Sequence, residues 1–380
     1  MSSLRPAEAA LMVRKALILG AFAVYACGPV DQSGTASGGP SGDGGPVAGA
    51  DGGILTGGGA DGGSAPTAGC GGIMPADLGG AITVTMPHGG GDVCWNATGD
   101  LAGNVAAEAH RSSEDSWKGT WQIWGTTGNP RGSFSNVGGD LFGQQEGFQS
   151  TQGSSHVVWS TDGQALRRSD LDDKCAPEAF YASTGGALVL ERCGSKLTAR
   201  RFDPRGAQVA MAEIGKGSSA AGVIDAQDRA LIISAQGGSY SGRWYDRNLS
   251  AISESFTLGA RGGSEPAVRP LAGGGAAIQI DGSWAATVRS GTGSADTVPP
   301  WLSSHDRYDL QIIRQGRGYA LIPRAGASPH DTLELFSATG ERCGALKFPA
   351  DGLSMGPDGT VIGSSGDGGC THPFWSGLLR

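Results

Sequence analysis

Short apolar segments recur along this chain at an interval of about 43 residues, and this repeat limits the possible folds more than any other feature. Five such segments begin 43, 47, 42 and 41 residues apart, at Ala187, Ala230, Ala277, Tyr319 and Thr360. A second marker is an aromatic residue before a tight turn. Trp159, Phe202 and Tyr245 carry it at successive spacings of 43 residues. Two independent markers with one period indicate a structural repeat.

Each repeat divides into four pieces of strand length. In the clearest one these are 220–227, 229–236, 242–247 and 251–258, separated by Gly, Asp, Asn or Ser. Four strands in about 40–45 residues are typical of a β-propeller blade. Units lie near 104–138, 140–172, 175–214, 220–258, 266–301 and 307–348, with a three-stranded last unit at 351–379. If 81–86 supplies its fourth strand, the chain is an all-β propeller of about seven four-stranded blades, with six or eight also open.

The last unit carries a likeness to known repeats. Its sequence from Asp351 to Gly366, DGLSMGPDGTVIGSSG, resembles NHL-type and similar bacterial propeller repeats, a likeness that extends over roughly 175–366. The Gly-His and Trp-Asp marks of WD repeats are missing. The resemblance implies a degenerate propeller.

The N-terminus has the pattern of an export signal. Arg14 and Lys15 precede an apolar run at 16–25, and a small residue, Ala26, stands before Cys27. This order is typical of a signal peptide, with Met12 as an alternative start. The segment 1–27 resembles a bacterial lipoprotein signal, which implies lipidation of Cys27, attachment to the membrane through that anchor, and an outer-membrane location because Gly28 follows. Ordinary cleavage after Ala26 is the alternative.

Residues 28–69 are predicted to be a disordered linker, followed by the propeller domain at 70–380. Fifteen of the 39 residues from 31 to 69 are Gly. The segment therefore offers too little apolar surface to offset the conformational entropy lost on ordering. From Gly28 to His110 there are eight acidic residues and no Lys or Arg, whereas 111–380 is nearly neutral. No basic block is available for phosphates, so nucleic-acid partners are disfavoured. The Asp-Gly repeats lack the alternating oxygen ligands of a calcium loop.

The cysteines predict disulfide bonds. Without Cys27 the number is even, which suits an exported chain, and the six are Cys70, Cys94, Cys175, Cys193, Cys343 and Cys370. A hairpin centred on residue 184 places Cys175 opposite Cys193. The other predicted pairs are Cys343–Cys370, joining the last two units, and Cys70–Cys94, holding the N-terminal strand. Zinc would need closely spaced Cys or His pairs, which the sequence lacks, so no metal or cofactor is predicted.

No catalytic constellation stands out. The histidines are scattered, and no carboxylate pair is set apart by its spacing. No Gly-x-Ser-x-Gly elbow supports a serine hydrolase, because the one match, at 352–356, lies within the propeller repeat quoted above. Four tryptophans lie close together in sequence: Trp95, Trp117, Trp121 and Trp124. Indole rings bind sugars, which makes these residues a candidate ligand surface, but they also fill the space between blades.

These observations favour an exported, lipid-anchored propeller that acts as a non-enzymatic binding or scaffold module at the cell envelope, with an unknown protein or glycan partner. The alternative is a carbohydrate-active propeller enzyme, a glycosidase or lyase. It predicts carboxylates converging with a tryptophan at the channel mouth. A purely structural surface protein is a third possibility, because propellers host many functions.

Overall fold

The computed structural model describes residues 70, 73, 79–88, 92–94, 96–111, 119–137, 141–145, 147–182, 184–260, 265–313, 316–324, 327, 329–350, 352–364 and 370–376. The chain divides into two units at Gly63 and Ser64, and all of these residues belong to the second. The predicted signal, Cys27 and the linker 28–69 lie outside the described residues.

Seven antiparallel sheets form the blades, and in six of them all the strands are consecutive in sequence. The first three contain β2 (Asp92–Val93), β3 (Ala97–Gly99), β4 (Val105–Arg111), β5 (Gly119–Trp124) and β6 (Pro130–Val137); β7 (Leu141–Gln144), β8 (Gly147–Gln152), β9 (Ser155–Trp159) and β10 (Ala165–Asp170); and β11 (Ala176–Tyr181), β12 (Ala187–Cys193), β13 (Lys196–Phe202) and β14 (Gln208–Lys216). The fourth, fifth and sixth contain β15 (Ala220–Ile224), β16 (Ala230–Gln236), β17 (Ser239–Tyr245) and β18 (Phe256–Ala260); β19 (Ala267–Pro270), β20 (Ala276–Ile280) and β21 (Ser283–Val288); and β22 (Tyr308–Ile313), β23 (Gly318–Pro323), β24 (Thr332–Ser337) and β25 (Arg342–Lys347).

The seventh blade joins both ends of the domain. Its strands β26 (Gly352–Met355), β27 (Val361–Ser364) and β28 (Thr371–Trp375) are completed by the N-terminal β1 (Ile82–Thr85). Ile82 lies opposite Phe374 in this antiparallel pair. The predicted all-β propeller, its seven blades and its closing strand are therefore confirmed.

Both faces of each blade are apolar because each blade is packed between two others. β16 shows the pattern: Leu231 and Ile233 lie in one core cluster with Val268 of the fifth blade, whereas Ile232 points the other way, toward Leu188 of the third. Burying one such side chain stabilises the fold by about 1.5–3 kcal/mol. The cores between neighbouring blades, rather than a single central core, hold the ring together.

The fifth blade has three strands, and an insertion takes the place of its fourth. Asp296 forms a β-bridge with Thr287, but Pro299 and Pro300 follow, and proline cannot donate to a ladder. The chain instead enters a short helix, α1 (Pro300–Ser303), whose Trp301 stacks on Tyr319 with ring centroids 5.1 Å apart. In the described part of the chain, no helix has the length and hydropathy needed to span a membrane.

Three disulfide bonds are present among the described residues. The Cys175–Cys193 bond predicted from the hairpin is formed, with a Cα–Cα distance of 4.5 Å. The other two pairings were predicted wrongly, because the partners are exchanged: the bonds are Cys70–Cys343 and Cys94–Cys370.

The exchange follows from where the N-terminal segment lies. Cys70 and Ile73 are fully buried in the core cluster of the sixth and seventh blades, together with Ile313 and Phe348. This position puts Cys70 beside Cys343 of β25, while Cys94 belongs to the cluster that contains Cys370. Both bonds therefore tie the N-terminal segment to blades formed by the C-terminal end of the chain.

Candidate functional site

One type of turn recurs on one face of the ring. The turn has five residues: the N–H of the first donates to the carbonyl oxygen of the fifth, and the carbonyl oxygen of the first accepts from the N–H of the fourth. Ten such turns are found in the described part of the chain, at 100–104, 125–129, 160–164, 182–186, 203–207, 225–229, 246–250, 271–275, 337–341 and 356–360. All ten join the first strand of a blade to the second or the third to the fourth, counted from the axis. Because the strands are antiparallel, these connections share one face of the ring. We call it the turn face.

The fourth position of this turn has a left-handed backbone, which glycine adopts without strain. Eight of the ten turns have glycine there, with φ between 77° and 97°. The exceptions are Asp228 and Leu249, with φ of 61° and 62°, and both belong to the fourth blade. The left-handed conformation costs an L-residue about 1–2 kcal/mol. The fourth blade therefore carries strain that most other blades avoid.

Packing explains why a strained leucine is kept at position 249, but it does not explain the strained aspartate at position 228. The Leu249 side chain is buried in the core between the third and fourth blades. The Asp228 side chain is 52% exposed, and its carboxylate binds the guanidinium of Arg201 and lies 3.6 Å from that of Arg247. Strained residues of this kind cluster at functional sites, so Asp228 marks a candidate.

Asp228 lies on the wall of an open groove in the turn face, with a volume of about 480 Å³. The groove is lined by 227–229, Asp246, Arg247, Ile252 and Gly291. Ile252 lies in an irregular stretch before β18, which begins at Phe256. Ala251 forms an antiparallel β-bridge with Tyr245, and the N–H of Ile252 donates to the carbonyl of Trp244 at 2.9 Å. This path leaves the Ile252 side chain 40% exposed.

Most polar groups of the groove are held in place by hydrogen bonds. Asp246 Oδ1 accepts from the N–H of Asn248 and of Ser250, at 2.9 and 2.8 Å. Arg229 Nη1 donates to the carbonyl of Ser290 at 3.2 Å, which connects the fourth and fifth blades. The Arg247 side chain is 61% exposed, the most of the charged side chains that line the groove.

Arg201 supports the groove from below. Its side chain is only 5% exposed, and its Nη1 has no hydrogen-bond partner among the described residues. Burial lowers the pKa of Arg201, and the neighbouring Asp228 carboxylate opposes that shift. Asp228 thus neutralises a charge buried beneath the surface that it helps to form.

The arrangement is suited to binding. It offers exposed guanidinium and carboxylate groups, the amide of Gln227 and an aliphatic contact at Ile252, on a backbone fixed by turn hydrogen bonds. Its lining contains no histidine, cysteine or aromatic side chain within the described residues. Such a surface can pair with charged and aliphatic groups of a polypeptide.

The tryptophans predicted as a ligand surface have a different role where the structure describes them. Trp121 and Trp124 are 1% and 5% exposed and pack on opposite faces of β5. Trp121 contacts the core toward the second blade and Trp124 the core toward the seventh, so neither can bind a ligand, and the prediction is wrong for both. Trp95 and Trp117 lie outside the described residues.

Asp172 lies within 4.8 Å of Cys175 and Cys193, a grouping of metal-ligand type. The two sulfur atoms are bonded to each other, so they are not thiolate ligands.

Two buried titratable side chains have pKa values shifted in opposite directions by burial. The His156 ring packs at a tilt against Phe202, with ring centroids 4.4 Å apart, and burial lowers the pKa of His156 to about 4. Asp100 is fully buried in the first turn of the ring, and burial raises its pKa to about 6 against the opposing effect of hydrogen bonds from Asn104, Gly147 and Ala102.

We expect His156→Gln to remove an acid-sensitive contribution to stability. The unfolded chain binds a proton on His156 below about pH 6.5, whereas the folded chain does so only near pH 4, so the contribution is present above pH 6.5 and is lost as pH falls. The free energy of unfolding of the wild type relative to His156→Gln should fall by about 3 kcal/mol between pH 7 and pH 4. Urea denaturation at several pH values measures this difference. Asp100→Asn should give a difference of opposite sign, and parallel pH profiles for both variants would contradict the assignment.

No protein-family model and no curated protein sequence matches this chain. Solved structures similar to it include the Pan2 WD40 domain of Neurospora crassa, at 10% identity and a TM-score of 0.49 over 81% of this chain and 100% of that one. TolB from Acinetobacter baumannii is similar at 13% identity and a TM-score of 0.38, over 72% of this chain and 80% of that one. A protein of unknown function from Bacteroides caccae has 14% identity and a TM-score of 0.40, over 60% and 89%. The propeller fold itself rests on the strand pairing described above.

Proposed function

We propose that this chain is an exported, lipid-anchored propeller that binds a protein partner at the cell envelope through the groove of the fourth blade. The observation that carries the proposal is Asp228, a strained residue whose carboxylate holds a buried arginine beneath an open groove. Three disulfide bonds favour an oxidising compartment, which agrees with the signal peptide predicted before Cys27.

The groove favours a polypeptide over a sugar. Sugar sites commonly offer an indole or phenol face, whereas this lining combines Arg229, Arg247 and Ile252 with acidic groups. Arginine is among the residues enriched at the energetic centres of protein interfaces, where one truncation costs about 2 kcal/mol or more.

Site-specific crosslinking in the native cell envelope tests the partner. A photoreactive residue replacing Ile252 should give one discrete adduct, and Arg247→Glu in the same chain should abolish it. Leu166 is a matched position, because it is 62% exposed on β10 of the second blade, and a probe there should give no adduct. Arg168→Glu, also on β10, should leave the Ile252 adduct unchanged. Equal adducts at both probe positions, or none at Ile252, would contradict the proposal.

The lipid anchor is tested separately. Radiolabelled palmitate should enter the mature protein, and globomycin should cause the unprocessed chain to accumulate. A mature, soluble and unlabelled protein would overturn the anchor and leave the binding site untouched.

The carbohydrate-active alternative makes a different prediction. Residues 70–380 assayed on a panel of chromogenic glycosides would show turnover. Turnover that survives Arg247→Glu would replace the binding proposal, because it would locate the activity outside the groove.

A further inference from the structure

A second charged cluster lies on the wall of the central channel, between the fifth and sixth blades. Arg269 belongs to β19 and Asp309 to β22, the innermost strands of these blades, whose open edges face the axis. Arg269 Nε and Nη2 donate to the two oxygens of Asp309, at 2.5 and 3.3 Å. Arg324, directly after β23, donates from Nη2 to Asp309 Oδ1 at 3.1 Å.

The cluster has two cations for one anion. Burial alone would raise the pKa of Asp309, but the guanidinium groups of Arg269 and Arg324 hold it below its usual value, so Asp309 is ionised at neutral pH. The three groups together therefore carry one positive charge. In the described strands at the axial edges of the seven blades, where β2 and β3 both border the first sheet, the charged residues are Asp92, Glu178, Arg269 and Asp309. Arg269 is the one cation among them.

The cluster is accessible and has donors to spare. The side chains of Arg269, Asp309 and Arg324 are 31%, 34% and 32% exposed. A guanidinium has five N–H donors. Among the described residues, Arg324 uses one of them, on Asp309, and Arg269 uses three, on Asp309 and the carbonyl of Val268.

We propose that this cluster binds an oxyanion group, a phosphate, sulfate or carboxylate carried by a small molecule that enters the channel. A planar guanidinium fork matches two oxygens of such a group, and charge-assisted hydrogen bonds of this kind are about twice as strong as neutral ones. Asp309 orients both forks and limits the site to one net positive charge. This site shares no residue with the groove on the turn face, so an experiment can contradict one of the two proposals without affecting the other.

Calorimetric titration of the full propeller with inorganic phosphate, sulfate and acetate tests the site. We expect saturable binding of at least one of them. Arg324→Gln should weaken it by at least about tenfold, the loss of a charge-assisted hydrogen-bond pair. Arg342→Gln is the matched control, because Arg342 pairs with Glu334 on the outer strands of the same blade, and it should leave the affinity unchanged.

Asp309→Asn separates binding from structural support. Removing the competing carboxylate raises the net charge of the cluster, so phosphate should bind several-fold more tightly than to the wild type. Arg324→Lys, which retains the charge without the fork, should bind with intermediate affinity and keeps the test valid if Arg324→Gln fails to fold. Absence of saturable binding to the wild type, or equal weakening by Arg342→Gln, would overturn the proposal.

Discussion

Replacing Cys94 and Cys370 by serine should lower the free energy of unfolding by about 4 kcal/mol. The reason lies in the unfolded chain. The Cys70–Cys343 and Cys94–Cys370 bonds span 273 and 276 residues and enclose nearly the same segment. With the first bond intact, the second closes a loop of only roughly 50 residues, made of the two short stretches between the bonds.

Removing both bonds should cost far more than removing one. The first closure then concerns a loop of about 275 residues, and the combined loss approaches about 10 kcal/mol, comparable to the whole stability of a typical domain. Replacing Cys175 and Cys193, which are 18 residues apart, should cost about 3 kcal/mol. Urea denaturation of the three variants gives these values, and the slope with urea should rise as crosslinks are lost, because the unfolded chain expands. A four-serine variant as stable as the wild type would show that the strand pairing between β1 and β28 closes the ring unaided.

The blades could be predicted because their signal is periodic. A repeat of about 43 residues with apolar runs and turn residues is visible in one sequence, and the same physics acts in every blade. The predictions that failed concern features set by contacts between residues far apart in sequence. Nothing local to Cys70 indicates that Ile73 enters the core between the sixth and seventh blades, and this placement decides which cysteines meet.

The groove corresponds to a visible departure from the repeat: two turn positions that are glycine in other units are not glycine in the fourth blade. In the aligned turns, Leu249 stands where the preceding unit has Gly206, and Asp228 also occupies a glycine position. The departure is readable, but its meaning depends on Arg201, which reaches the turn from the neighbouring blade. The prediction of a ligand surface at the tryptophans failed for a related reason, because spacing along the sequence cannot show which side chains lie between blades. Trp121, for example, is buried in the core on its face of β5.

The pairing of Asp228 with Arg201 should prove the most sensitive contact of the site. Asp228→Ala leaves the buried Arg201 guanidinium without its partner and keeps an L-residue in the left-handed turn, so the free energy of unfolding should fall by about 3 kcal/mol. Asp228→Gly loses the same partner but relieves the backbone, and its loss should be smaller by about 1 kcal/mol.

A second substitution distinguishes pairing from backbone strain. Arg201→Met removes the buried charge, and replacing a buried ion pair by apolar groups is often neutral for stability. Arg201→Met combined with Asp228→Gly should therefore be more stable than Asp228→Gly alone, as measured by urea denaturation. Leu249→Gly provides the contrast, because it relieves equal strain while losing a buried side chain, and it should destabilise without coupling to Arg201. If Asp228→Ala is as stable as the wild type, the buried charge is not held by this carboxylate. The strained turn would then have to be explained by the bound partner alone, and Asp228→Gly should abolish the Ile252 adduct while raising the free energy of unfolding by about 1 kcal/mol.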